Sequence, residues 1–513
     1  MFSSIASASV YGIEARIIMV EADVSDGLPL FNMVGFLASE VKEAKDRVRT
    51  ALKNSNFALK PKHITINLSP ADIRKCGTAF DLPIALSVMA ASEMIPTDTL
   101  SNTLVVGELG LDGRIRRING VLPIVLAALE AGYTTCIVPE ENVREGAVVQ
   151  GIDCIGVSTL GQVVEYVYGR RDESLAPVHV DVNEILNRNM QKNVEDFADV
   201  AGQETARRAV EIAVSGQHNI LLSGPPGAGK TMIARRIPGI MPRMSFAESM
   251  ELSRIYSVAG RLDSEQFLMT ERPFRSPHHT ATTVGVIGGG QYPRPGEVSL
   301  ASHGVLFLDE MPEFNREVIE ALRQPLEDRT VTISRLSATY NYPAGFMLAA
   351  SMNPCPCGYW PDRNRCTCSA GAINRYRHRI SQPILDRIDL CINVENTDYN
   401  ALNSQKAGES SAKIRERVER TRLIQQERYK GLNICFNAEL STAQIKEFCA
   451  LGRDEQAMME DAFNRLNLSA RGYHRILKVA RTIADMAGEE RITCEHLAEA
   501  LSYRDYMSGE VLQ

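Results

Sequence analysis

In the first 168 residues, apolar positions fall in short runs and alternations: Ala15–Val20, His63–Leu68, Leu104–Val106 and Cys136–Val138. Runs of that length predict strands. Between them, in Ser39–Leu52, the residues Val41, Ala44, Val48 and Leu52 recur at spacings of three and four, which lays one apolar stripe along a helix. Strands alternating with helices predict an α/β domain over residues 1–168. From Gly169 to about Glu195 the pattern gives way to mixed charge, Pro177 and few aromatics, so 169–195 reads as a linker with a short helix near Val182–Asn189. A second α/β region, 196–400, carries a helical run to about Val214, then the apolar runs Ile220–Leu222, Val305–Leu308 and Gly345–Met352. In it, Phe314, Val318, Ile319, Leu322 and Leu326 share a helix face, and Thr330–Tyr340 alternates as a hairpin does. The remainder, 401–513, is helical in pattern, with Ser469 opening an apolar-periodic helix over Ile476–Met486.

The turn after Ile220–Leu222 changes this picture from fold to chemistry. Gly224-Pro225-Pro226-Gly227-Ala228-Gly229-Lys230-Thr231 follows a strand, opens a helix and fits the phosphate-loop pattern without mismatch. Glycines let successive backbone N–H groups converge on phosphate oxygens, and the helix N-terminus adds positive partial charge. Lys230 is placed to reach the β- and γ-phosphates of ATP, and the Thr231 hydroxyl to hold Mg²⁺. Asp309 and Glu310 leave the C-terminal end of the apolar run Val305–Leu308, where open α/β sheets carry their chemistry. Asp309 suits Mg²⁺ coordination, and Glu310 suits deprotonation of the attacking water. Asn353, at the tip of Gly345–Met352, is placed to sense the γ-phosphate or position water; it also reads as a turn residue before Pro354.

Cys355, Cys357, Cys366 and Cys368 put four thiols within fourteen residues. That density predicts a structural Zn²⁺ site closed by four thiolates, with redox disulfides or free thiols as the alternatives. Seven Lys and Arg between 413 and 430, interspersed with Glu, read first as a charged helix face and only second as a nucleic-acid contact.

Composition bounds the partners. A net charge of −7 argues against a uniformly basic nucleic-acid coat but leaves room for a local basic channel. No charged-then-apolar leader opens the sequence, and no uncharged apolar run reaches the roughly 18 residues of a spanning helix. A cytoplasmic protein without membrane contact is expected.

Two resemblances follow from these residues. Gly107-Glu108-Leu109-Gly110, Ile115–Val121, Ala127–Gly132 and Val138-Pro139 resemble the proteolytic domain of Lon proteases, an S5-type α/β fold. The stretch matching the Lon nucleophile segment, Arg74–Asp81, has no serine, and Leu122 stands where Lon places its catalytic lysine. Cys76 and Thr78 are the substitutes to consider, but no base is evident near them, so no protease activity is expected.

The phosphate loop, Leu306–Glu310, Asn353, Leu385–Leu390 and Ser469–Arg475, with Ser276–Thr280 and Pro295–Leu300, resemble the magnesium-chelatase-like AAA+ ATPases, the family of the ComM and YifB proteins. The resemblance spans nearly the whole chain. It implies an AAA+ core, a C-terminal helical lid and a homo-hexameric ring with ATP at subunit boundaries. It also implies that Arg387 is the arginine finger reaching a neighbour's site and Arg471 the lid arginine touching the γ-phosphate. For the ComM-type relatives it implies an ATP-driven motor on single-stranded or branched DNA, moving junctions during integration of incoming strands. Arg294, Arg335, Tyr340 and Tyr342 are the candidate DNA contacts, or equally ordinary hairpin surface, and His278 and His279 read as structural. An ATP-dependent protein-remodelling or assembly factor and a chelatase-type motor subunit are the competing readings.

Overall fold

The computed structural model describes residues 1–513 except 97–99, 171–172, 189–194, 291–292, 336–337, 397–407 and 505–513, and except the side chain of Asn183. The expected junction at 400–401 lies outside the described residues.

Two sheets organise the molecule. The first is seven-stranded, in the order Leu30–Val34, His63–Ser69, Glu14–Ser25, Phe2–Tyr11, Thr103–Val105, Thr135–Pro139, Asp153–Val157. Glu14–Ser25 pairs antiparallel with both of its neighbours, and the remaining pairings are parallel. The four expected strands lie in this sheet, together with three that apolar patterning misses. Phe2–Tyr11 alternates serine with small residues, yet Ser3 and Ser7 are buried. Ser3 Oγ donates to the Ser87 carbonyl oxygen at 2.6 Å, so the hydroxyl enters the core satisfied. The helix expected over Ser39–Leu52 is two pieces, Ser39–Lys42 and Ala44–Asn54, with Val41, Ala44, Val48 and Leu52 buried as the stripe requires. A helix covers Val182–Arg188 in the linker region.

The second sheet is five-stranded and wholly parallel: Phe274–Arg275, Val305–Leu308, Met347–Met352, Ile220–Ser223, Leu390–Asn393. Its inner strands are apolar apart from Ser223 and Ser351 because helices cover both faces, as parallel sheets require. The expected helix through Phe314–Leu326 is again divided, into Arg316–Ala321 and Arg323–Asp328, with Pro325 in the first turn of the second piece. The hairpin is Thr330–Arg335 with Ala338–Pro343.

The C-terminal helices are part of the same apolar core as the sheet: Ile414, Val418, Ile476 and Ile483 join Ala209, Ile212, Ile220 and Ile233. Ionic contacts fix the seam. Asp485 is buried and accepts from Arg428 and from Arg481, while Arg417 is forked onto Glu211 and Glu409. The basic stretch 413–430 is therefore largely spent inside the molecule: Arg415 donates to the Gly239 carbonyl oxygen and Arg422 to Glu248.

The two sheet domains touch in several places among the described residues, two of which follow. The helix Phe246–Val258 presents Ser257, whose backbone carbonyl accepts from Gly120 N at 3.1 Å and whose hydroxyl donates to Glu145. Glu145 is 3% exposed and also accepts from Leu122 N at 3.0 Å and Asn142 Nδ2 at 2.9 Å. Burial raises the pKa of its carboxyl, and the three donors pull it back. At the second place the Tyr340 ring of the hairpin lies 4.7 Å from that of Tyr11, and the Arg16 guanidinium lies over the Tyr11 ring at 4.4 Å from its centroid. Ser257→Ala leaves Glu145 one donor short in a buried site. A loss of about 1–3 kcal/mol is expected, read as a lowered urea midpoint of the first unfolding transition. An unchanged midpoint would show that Leu122 and Asn142 suffice.

Candidate active site

Parallel pairing sets the site. Ile220–Ser223 runs beside Met347–Met352 and Leu390–Asn393 in the same direction, so the phosphate loop, Asn353 and Asp309–Glu310 all emerge at one end of the sheet. Gly227 and Gly229 have φ of +80° and +89°, and a Cβ on either would meet nothing within 4 Å, so the loop is an open cradle of backbone N–H groups. The helix Lys230–Ile240 begins directly behind it.

Lys230 is 9% exposed and folds back on the loop: Nζ donates to the Gly224 carbonyl oxygen at 2.6 Å, the Pro225 carbonyl oxygen at 2.9 Å and Asn353 Oδ1 at 3.1 Å. Burial pushes its pKa down, and the carboxylates of Asp309 and Glu310 pull it up. An ammonium held by neutral carbonyls at a phosphate-shaped loop exchanges them for phosphate oxygens without leaving its place. Thr231 Oγ1 donates to Asp309 Oδ2 at 3.0 Å, which brings a hydroxyl and a carboxylate oxygen together, the hard donor pair that Mg²⁺ takes. Ser351 completes the arrangement and was not legible beforehand. Its hydroxyl donates to Asp309 Oδ1 and accepts from Glu310 N at 3.0 Å, fixing both acidic residues from the neighbouring strand. A lone serine in the apolar run before Asn353 was the available signal. Glu310 has φ +51°, the left-handed region, and turns its side chain out to solvent at the sheet end.

The two arginines are elsewhere. Asn219 directly precedes the strand Ile220–Ser223; its side-chain amide donates to the Arg387 carbonyl oxygen at 2.9 Å, and its backbone N donates to Asp389 Oδ2 at 2.9 Å. Arg387 thus lies at the N-terminal end of the strands, a four-residue strand, or about 13 Å, from the phosphate loop. It is 5% exposed, paired with Glu327 at 2.5 Å and with the Pro383 carbonyl oxygen at 2.6 Å. The resemblance implies a finger free to reach a neighbour; the structure instead shows a guanidinium stowed in its own chain. Its partner Glu327 is itself half-exposed, at 45%. Arg471, 62% exposed, approaches the same Glu327 oxygen at 3.7 Å. Neither arginine touches its own chain's phosphate loop.

The four cysteine sulfurs lie within 4.8 Å of one another, with Cys355–Cys357 at 3.3 Å, Cys355–Cys366 at 3.7 Å and Cys357–Cys366 at 3.6 Å. A tetrahedron with Zn–S of about 2.3 Å has S–S edges of about 3.8 Å, whereas a disulfide needs about 2.05 Å. The donor set fits a metal ion. It is the one cluster of potential ligands among the described residues.

Other expected site residues separate. Tyr342 is fully buried, with its hydroxyl donating to the Pro293 carbonyl oxygen at 2.9 Å, so it offers no ring to a nucleobase. Tyr340 is committed to Tyr11. Arg294 and Arg335 are exposed, the latter donating to the Gly290 carbonyl oxygen. His278 and His279 stack on each other at 4.1 Å. In the first domain Leu122 is buried under the Ser257 helix, Thr78 Oγ1 is bound to Glu108, and burial raises the thiol pKa of Cys76.

Comparison with known proteins agrees with this layout. Residues 196–402 match the family described as magnesium chelatase, subunit ChlI; residues 20–142 match subunit ChlI of Mg-chelatase, and 408–504 its C-terminal family. Competence protein ComM of Haemophilus influenzae is 43% identical over 500 residues, covering 97% of this chain and 96% of the relative. The uncharacterized protein YifB of Escherichia coli is 41% identical over 504 residues, covering 98% and 97%. Lon protease 2 of Bacillus subtilis is 28% identical over 149 residues, 28% of this chain and 26% of that one. Among the described residues no helix is long and apolar enough to cross a membrane. With phosphate loop, acidic strand end and full-length identity in agreement, this chain belongs to the magnesium-chelatase-like family of ComM and YifB.

Proposed function

We propose that this protein is an ATP-driven ring motor acting on single-stranded or branched DNA, with branch migration or helicase activity in recombination or natural transformation. The observation that carries the ATPase part is the split of the machinery: Lys230, Thr231, Asp309, Glu310 and Asn353 at one end of the sheet, Arg387 and Arg471 at the other. A chain so divided cannot surround a triphosphate alone, and head-to-tail copies in a closed ring can. A homo-hexamer satisfies this. On this reading residues 1–168 are a Lon-like module without protease activity, 169–195 a linker, 196–400 the AAA+ core and 401–513 the helical lid. The site of work is cytoplasmic.

Lys230 and the loop N–H groups bind the phosphates, and Asn353, already on Lys230, sits where the γ-phosphate ends. Thr231 and Asp309 would hold Mg²⁺, which would supply charge neutralisation to the phosphoryl group. Glu310 takes the proton of the attacking water. Arg387 of a neighbouring copy, released from Glu327, offers positive charge to the developing transition state, a contribution of about 10³–10⁵ in rate. Zn²⁺ is the metal that the four cysteines suit.

The DNA part is supported by the full-length similarity to a competence protein and by the exposed Arg294 and Arg335. The protein-remodelling reading is favoured by one observation: the hairpin tyrosines are engaged by the first domain or buried, leaving no aromatic ring of theirs for base stacking.

Glu310→Gln is expected to retain ATP binding and lose turnover by about 10²–10⁴, measured by phosphate release beside nucleotide titration. Retained turnover would remove Glu310 as the base. Titration with forked and single-stranded DNA is expected to stimulate ATPase at low salt, with the apparent affinity falling steeply as salt rises, because bound phosphates release counterions. No response at low salt would leave the protein-remodelling reading.

A further inference from the structure

The cysteine loop is not remote from the nucleotide. Asn353 is followed directly by Pro354 and Cys355, so the residue that accepts from Lys230 stands two positions before the first thiol. The loop then turns at Gly358, with φ of +85°, and its N donates to the Cys355 carbonyl oxygen at 2.9 Å. This turn lies against the phosphate loop: a Cβ built on Gly358 would stand 2.5 Å from Pro226 Cδ and 2.7 Å from Pro226 Cγ. Contact that close admits only hydrogen at position 358, so the two loops touch backbone to ring.

The loop has little else to hold it. Its apolar core consists of Cys355, Trp360 and Ile373, with the other three cysteines packed beside them. Such a cluster falls far short of what a segment of this length needs to stay ordered by burial alone. Trp360 N donates to Cys355 Sγ at 3.4 Å, the kind of outer contact that orients a thiolate ligand, and Arg363 covers the indole at 4.1 Å from its centroid. On the far side, Arg377 Nε donates to the Pro354 carbonyl oxygen, tying the loop to the helix Ala370–Arg377.

We infer that a metal ion held by Cys355, Cys357, Cys366 and Cys368 braces the phosphate loop through Gly358 and Pro226, making ATP affinity depend on metal occupancy. The inference rests on the ATP-binding reading above. Without the ion, the thiolates no longer close the loop, Gly358 leaves Pro226, and the cradle and Asn353 lose their common support. The apparent dissociation constant then rises as the fraction of closed cradle falls, so a closed population of about one tenth gives about a tenfold weaker affinity.

The full-length protein carries its own reporter, because Trp360 is the sole tryptophan. Purified protein is assayed for bound zinc, stripped with a chelator, and reloaded with Zn²⁺ alone. Affinity for a fluorescent ATP analogue and Trp360 emission are followed at each stage. Expected are close to one zinc per chain at the start, a loss of affinity on the order of tenfold on stripping with a shift in Trp360 emission, and recovery of both on reloading. Gly358→Ala is expected to keep its zinc and still bind the analogue more weakly, since the methyl group pushes on Pro226. Unaltered affinity after stripping, or in zinc-loaded Gly358→Ala, would overturn the coupling. Protein that neither contains nor takes up zinc would overturn it as well. Zinc-loaded parent protein that binds no nucleotide would instead overturn the ATP reading, and the coupling with it.

Discussion

Parallel pairing of Ile220–Ser223 with its two neighbours is the constraint from which the site follows. In a parallel sheet every strand ends on the same side, so backbone direction alone collects the phosphate loop, Asn353 and the Asp309–Glu310 pair. The same rule sends the residues preceding the strands to the opposite side, and Asn219 clamps Arg387 and Asp389 there. Separation of the lysine and carboxylates from the arginines is thus not an accident of side-chain placement. It is a property of strand direction, and no rotamer change within one chain undoes it.

The first domain shows how a fold resembling a protease can be put to another use. Where Lon places its lysine, this chain buries Leu122, and the neighbouring Glu145 takes a hydroxyl from the ATPase domain's Ser257. Close to Cys76, in the segment matching the nucleophile stretch, the hairpin delivers Tyr340. A hairpin that ends on this domain and begins next to Glu327 also joins the first domain to the arginine end of the sheet.

Much of this was legible from the residues. Phosphate binding demands a specific order of glycine, lysine and hydroxyl, and an apolar strand ending in two carboxylates has few other uses. Buried stripes in Ala44–Asn54 and Ala470–Ala487 fell where spacing put them, because helix periodicity fixes which positions share a face. Phe2–Tyr11 was missed because serine and alanine carry little strand preference, and it takes a tertiary partner, the Ser87 carbonyl, to satisfy the buried Ser3 hydroxyl. Tyr342 was misjudged because alternation tells which residues share a face but not which face is covered. The Arg387–Glu327 pair and the Gly358–Pro226 contact are pairings across sequence distance, and a single sequence holds no trace of them.

The measurement that bears most directly on a shared site is mixing of two inactive variants. Lys230→Ala removes the phosphate side and Arg387→Ala the opposite side, so each protein alone should hydrolyse ATP poorly. Combined before assembly, the two should regain a substantial part of the activity, because some boundaries then pair an intact Lys230 with an intact Arg387. A mixture no more active than its components, or an Arg387→Ala protein as active as the parent, would contradict the account.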